Sequence, residues 1–203
     1  MRHRIARMFI AWFALSTFAL GQKNEFSLSV GVVATSDQQI RALGGGACSV
    51  PCGGTESTST GVAFEGAYTR RIFDFHGASI GVEFPILGVP DRDVTTAPFK
   101  FSRSALFFTP SAQVRFLPSG RLSPFLSLGG GLVHSEEPGN SVTRGALQFG
   151  GGVDFKTPLP HLAIRGEVRD FWARAFNVSS VGFQITPERL HNVFAGAGVV
   201  FRF

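Results

Sequence analysis

The stretch LQFGGGVDFKTPLPHLAIRGEVRDF (residues 147–171) decides the fold. Leu147, Phe149, Gly151, Val153 and Phe155 occupy every second position. After Thr157-Pro-Leu-Pro160 the alternation resumes with Leu162, Ile164, Gly166 and Val168. A period of two places these residues on one face of each of two strands. The other faces carry Gln148, Gly150, Gly152 and Asp154, then Arg165, Glu167 and Arg169. The stretch reads as a hairpin, apolar on one side and small or charged on the other.

The same pattern extends outward in both directions. Eight segments of about ten residues alternate in this way: 25–34, 60–72, 78–87, 104–117, 122–134, 143–156, 161–171 and 190–203. Residues 73–77, 118–121 and 157–160 are expected to be tight turns, and 35–59, 88–103, 135–142 and 172–189 longer polar loops. Short turns at one end and long loops at the other, with an even strand number, fit a transmembrane β-barrel. A soluble lipocalin-like barrel would place the apolar face inside and a charged face in water. Here the second face is mostly Ser, Gly, Thr and Gln, a poor solvated surface but a good filling for a narrow eight-stranded bore. The expected fold is therefore all-β: an eight-stranded antiparallel up-and-down barrel with its apolar face in lipid.

Before the first strand, Arg2, Arg4 and Arg7 precede an apolar run from Met8 to Leu20 and then Gly21. A charged start, a short apolar run and small residues at the exit read as a cleavable signal peptide over 1–21. The barrel domain is then 22–203. The chain has 19 basic residues; removing those three Arg leaves 16 against 14 acidic ones. The strongly basic balance thus belongs mostly to the leader. No basic cluster runs along one face, which argues against nucleic-acid binding.

The chain ends in GAGVVFRF, with Gly198, Phe201 and the final Phe203. This ending resembles the C-terminal signal by which outer-membrane barrels are recognised by their assembly machinery. The segment 147–171, a Gly-rich strand ending in Val-Asp followed by a turn and alternating Arg and Glu, resembles the penultimate hairpin of OmpA-like outer-membrane β-barrel domains. The resemblance implies a Gram-negative-type cell outer membrane with both chain ends in the periplasm. It also implies lipopolysaccharide, phospholipid and the assembly machinery as partners. It names no extracellular ligand and no activity, because barrels of this size host many functions.

Four constellations bear on function. By parity Glu65, Glu83, Arg115, Asp154, Arg165, Glu167, Arg169 and Arg202 face the lumen, four acids and four arginines. Buried charges require partners, so these are expected to plug the bore; a gated ion path is the alternative. His134-Ser-Glu-Glu137 lies where a lipid A deacylase would place a His-x-Ser pair. Here Ser135 is adjacent to His134 and falls on the opposite face, so no catalytic residue is assigned. Cys48 and Cys52 share one loop of an exported chain and are expected to form a disulfide. They lack the further ligands a metal would need. The triplets Gly129–Gly131 and Gly150–Gly152 are expected to lie roughly opposite each other and serve curvature and room for interior Arg. No cofactor is implied. Phe84, Phe116, Phe155, Phe201 and Tyr68 are expected in a girdle at one rim, and Phe171 and Trp172 at the other.

These features point to a porin-like envelope protein with a structural or surface-interaction role, such as envelope integrity or adhesion. The alternatives are a lipid A-modifying hydrolase and a narrow pore. The membrane-extracted protein is expected to have the mass of a chain starting at Gln22 and to change its gel migration on reduction. A start at Met1 in intact-mass spectrometry refutes the leader. Free thiols at both cysteines refute the disulfide.

Overall fold

The computed structural model describes residues 23–41, 53–96, 99–174 and 189–203. Among the described residues eleven strands form one sheet. They are β1 (Asn24–Thr35), β2 (Gln38–Arg41), β3 (Gly53–Thr58), β4 (Gly61–Phe75), β5 (Ala78–Thr96), β6 (Phe99–Phe108), β7 (Ser111–Phe116), β8 (Leu122–Glu137), β9 (Asn140–Lys156), β10 (Leu162–Arg174) and β11 (Arg189–Arg202). All pairings are antiparallel, and β1 pairs with both β4 and β11, which closes the sheet on itself. At that seam the Asn24 and Phe203 backbones exchange hydrogen bonds of 3.1 and 2.9 Å. Closure leaves the ring no free edge in the bilayer, where unpaired backbone is untenable.

The ring has eight staves because β6 and β7 act as one. Both pair with β5 and with β8. The break falls at Thr109-Pro110, since proline cannot donate to the ladder. β2 and β3 form an extra hairpin at the end of the long connections, attached to the far end of β5. The segments expected as loops at 88–103 and 135–142 prove to be largely strand. There β5 and β6 continue as a hairpin arm, and β8 runs into β9 through a two-residue turn at Pro138-Gly139. Gly139 takes φ 79° there, a conformation that favours glycine. Polar composition concealed these extensions, because strands beyond the lipid need no apolar face.

The outer wall is an apolar belt. Leu28, Val30, Phe64, Leu128, Phe149 and Val168 all point outward and are exposed. At the short-turn end Phe84, Phe116, Phe155 and Phe201 stand outward, and Tyr68 stacks on Phe84 with ring centroids 6.4 Å apart. At the other end Trp172 faces out, but Phe171 is fully buried in the lumen. Adjacent strand residues cannot share a face, so the two cannot both join the rim.

The interior is layered. Its lower part holds the charged residues. Its upper part, toward the long connections, holds Val33, Leu87, Val89, Phe107, Phe171 and Phe194 in one apolar cluster. That layer differs from the small polar filling expected along the whole lumen. Phe107 and Phe171 meet there with centroids 5.0 Å apart.

The glycine triplets are offset rather than opposite: Gly150 faces Ser127, and Gly129 faces Gln148. A Cβ on Gly152 would meet the Gly166 carbonyl at 2.3 Å and the Phe125 ring at 2.8 Å. One on Gly145 would meet nothing within 4 Å. Gly152→Val is expected to lower unfolding stability by about 1–3 kcal/mol, read by urea unfolding in detergent, and Gly145→Val to leave it unchanged. Equal effects would refute this role for the glycines.

Candidate functional site

The largest set of convergent functional groups lies inside the ring, where all eight residues named from parity are buried. They divide into two joined clusters. In the lower one, Asp154 on β9 accepts from Arg165 Nε at 2.8 Å, from Arg202 Nη2 at 2.9 Å, and from Arg115 Nη1. Arg165 adds a second bond to the same carboxylate at 3.2 Å, completing a fork. Beneath the ring of guanidiniums lies Glu25 on β1, which accepts from Arg115 Nη2 at 2.6 Å and lies 3.2 Å from Arg202 Nε. Parity with Phe26 places Glu25 inside, so it belongs to the set and gives it five acids against the four arginines. Arg71 lies 4.0 Å from the Glu25 carboxylate and stands at the edge of the cluster.

The upper cluster centres on Arg169 of β10. Its two Nη atoms donate to both oxygens of Glu83 at 2.9 and 2.8 Å. Its Nε and Nη2 reach Glu167 Oε2 at 3.0 and 2.9 Å, and Nη2 lies 3.1 Å from Glu65. Ser29 donates to the other Glu167 oxygen at 2.6 Å, and Ser111 and Gln113 donate to Glu83 at 3.1 Å each. Gln113 joins the clusters, since its carbonyl accepts from Arg115 at 3.2 Å. The Phe125 ring fills the lower bore beneath Arg165, whose guanidinium carbon is 4.4 Å from the ring centroid. Such a contact compensates a desolvated cation without another acid.

Spacing alone does not reveal Arg92. Continuing the β5 alternation past Val89 would place Asp91 inside and Arg92 in the lipid-facing row. A β-bulge between Val89 and Arg92 reverses this. Arg92 is buried and Asp91 exposed. Arg103, directly opposite Arg92 across β5 and β6, is also buried and donates to Glu137 at 2.6 Å.

Outside the ring, His134 faces outward, with Nδ1 2.8 Å from Thr143 Oγ1 and Nε2 3.4 Å from Glu136. Ser135 points to the opposite face, toward Arg103 and Arg144. On β10 and β11, His191 Nδ1 lies 2.8 Å from Asp170, which also accepts from the Trp172 indole. Cys48 and Cys52 lie outside the described residues. Gly198 and Phe201 sit on β11, and Phe203 closes the seam with Asn24.

Known structures share this geometry. The crystal structure of neisserial surface protein A superposes with a TM-score of 0.58 at 14% identity, covering 91% of this chain and 99% of that one. Outer membrane protein OprG of Pseudomonas aeruginosa gives 0.52 at 14% identity, over 90% and 97%. Outer membrane protein AlkL, solved by solid-state NMR in lipid bilayers, gives 0.51 at 13% identity, over 91% and 92%. What they share is the fold. It is the small eight-stranded barrel of outer-membrane proteins. No family model matches the chain, and no curated protein matches it in sequence.

Removing one partner from a buried ion pair leaves a bare charge, at a cost of about 3–5 kcal/mol. Glu83→Ala and Arg169→Met are therefore each expected to lower unfolding stability, the second by about that much because it leaves Glu83, Glu167 and Glu65 without their cation, and the double variant to lose less than the sum. Additive losses in urea unfolding would refute the pairing. Glu167→Ala is expected to lower thermal stability in detergent.

Proposed function

We propose that this chain is an outer-membrane barrel with a structural or surface-interaction role, exerted by the long connections at one rim and by the lipid-facing wall. One observation carries the reading: the bore is filled twice. The charge clusters occupy its lower part, and the cluster of Val33, Leu87, Phe107, Phe171 and Phe194 occupies its upper part. A solute would have to displace paired charges and then an apolar plug. An apolar belt flanked by aromatics supports a lipid setting. The GAGVVFRF ending and the resemblance to OmpA-like domains support the outer membrane, a periplasmic short-turn end and delivery by the assembly machinery. A leader over 1–21 and a Cys48–Cys52 disulfide belong to the same reading.

A second reading is favoured by one outward contact. Thr143, His134 and Glu136 form a chain of hydroxyl, imidazole and carboxylate on the wall. Beside it lies a groove of about 360 Å³ floored by Gly88 and walled by Phe64 and Leu106. A hydroxyl beside an imidazole is the minimum for a nucleophile and base. In this reading the chain acts on a membrane lipid.

Reconstitution into planar bilayers is expected to give no steady conductance, and fractionation to place heat-modifiable protein in the outer membrane. A stable open channel would overturn the plugged-bore reading. Lipid A mass spectrometry of an expressing strain separates the second reading. A mass shift abolished by His134→Ala establishes it, and an unchanged spectrum removes it.

A further inference from the structure

At the long-connection end of the lumen, above the apolar plug, three arginines line one cavity of about 30 Å³: Arg92 of β5, Arg103 of β6 and Arg144 of β9. Thr35, Thr58, Ser135 and Asn192 complete its polar wall. The space suits a small polar group, since a single water needs about 10–15 Å³ measured in this way.

Arg92 and Arg103 stand directly opposite each other across two strands, a position in which like charges repel. Arg103 is bonded to Glu137 at 2.6 Å. Arg92 is 5% exposed and donates from Nη1 to the neutral Thr35 hydroxyl at 2.7 Å; its Nε is buried with no hydrogen-bond partner. Thr35 donates its own proton to Asn192 at 2.8 Å, so its oxygen is aimed as an acceptor and locks Arg92 in place. Asp91 and Asp93 point away from the cavity and are exposed. The Arg92 site lies beyond the last apolar outward residue of β5, Ile86, and so above the lipid belt. Burial first, and the Arg103 charge second, push the Arg92 pKa down to about 10. The folded protein therefore holds a cation under strain from its surroundings.

Two buried cations set directly opposite each other call for an anion between them. Planar guanidinium forks suit tetrahedral oxyanions in particular. We propose that this mouth is a binding site for a phosphate-type oxyanion, either free or as the phosphate of a monoester presented from outside, held by Arg92, Arg103 and Arg144. Phe107 and Val133 line the same cavity from the apolar side and keep water from the cluster below. The site goes beyond the surface role proposed above and depends only on the ring geometry, so the two fail independently.

The test uses the full folded chain in detergent. Thermal unfolding is followed against inorganic phosphate at constant ionic strength, with chloride as the balancing anion. The midpoint is expected to rise and saturate, and Arg92→Gln to weaken half-saturation at least tenfold. Should the Arg92 variant fail to fold, Arg144→Gln takes its place, with loss of broadening of the phosphate 31P resonance as the expected result. Repeating the titration with methyl phosphate separates the sources. Equal or tighter binding assigns an ester group on a larger molecule, and binding of inorganic phosphate alone assigns the free anion. A midpoint that does not saturate, or identical curves for wild type and both variants, overturns the proposal.

Discussion

Asp154 is the point on which the interior depends. One carboxylate, fully buried, receives guanidinium groups from three other staves: Arg115 on β7, Arg165 on β10 and Arg202 on β11. Those strands are fixed relative to one another by a group that no water can replace. Taking the charges out of water costs several kcal/mol per ion, and attraction repays this only where geometry is close to ideal. The network therefore adds little net stability over an apolar filling. Its effect is on register. A one-residue slip turns every side chain of the slipped strand to the other face, and in this barrel a slip of β10 would put two guanidiniums, those of Arg165 and Arg169, into hydrocarbon.

The same constraint explains why glycine is dense on the inward rows of β8 and β9. Arg169 and Phe125 are large, and the bore of eight strands is nearly filled by side chains. A Cβ on Gly150 would lie 2.7 Å from Arg169 Cγ, and one on Gly152 would meet Phe125. Removing side chains beside the largest ones lets the lower network close without voids.

Much of this was legible in sequence because parity is a sharp rule inside regular strands. It places Glu65, Glu83, Asp154 and the four lower arginines correctly, since a closed ring has only two faces to offer. It also contained Glu25, one position before Phe26. Legibility ended where the chain leaves regular alternation. At Arg92 a bulge inverts the faces, and Pro90 inside it is the one residue type that signals the break. At 88–103 and 135–142 the strands outlast the lipid belt, so their outward residues turn polar and imitate loops. In the upper lumen both faces are apolar, as at Leu106 outside and Phe107 inside, and there period two vanishes from composition while persisting in geometry.

The layering within the bore follows from where each layer finds its dielectric. At belt depth the wall outside is hydrocarbon, so inward charges have no water to fall back on and must satisfy one another, as Arg169 and Glu83 do with two bonds. Nearer the long connections the apolar cluster separates that closed network from the mouth. Pairing is incomplete below as well, where both Glu65 carboxylate oxygens and Arg115 Nε are buried without a hydrogen bond, but only above the plug do solvent and external solutes become reachable. Arg92 sits at that boundary, with one neutral partner and one unused donor. A plug of hydrophobic side chains between two charged layers also keeps them from sharing ions. The lower layer remains structural whatever meets the upper one.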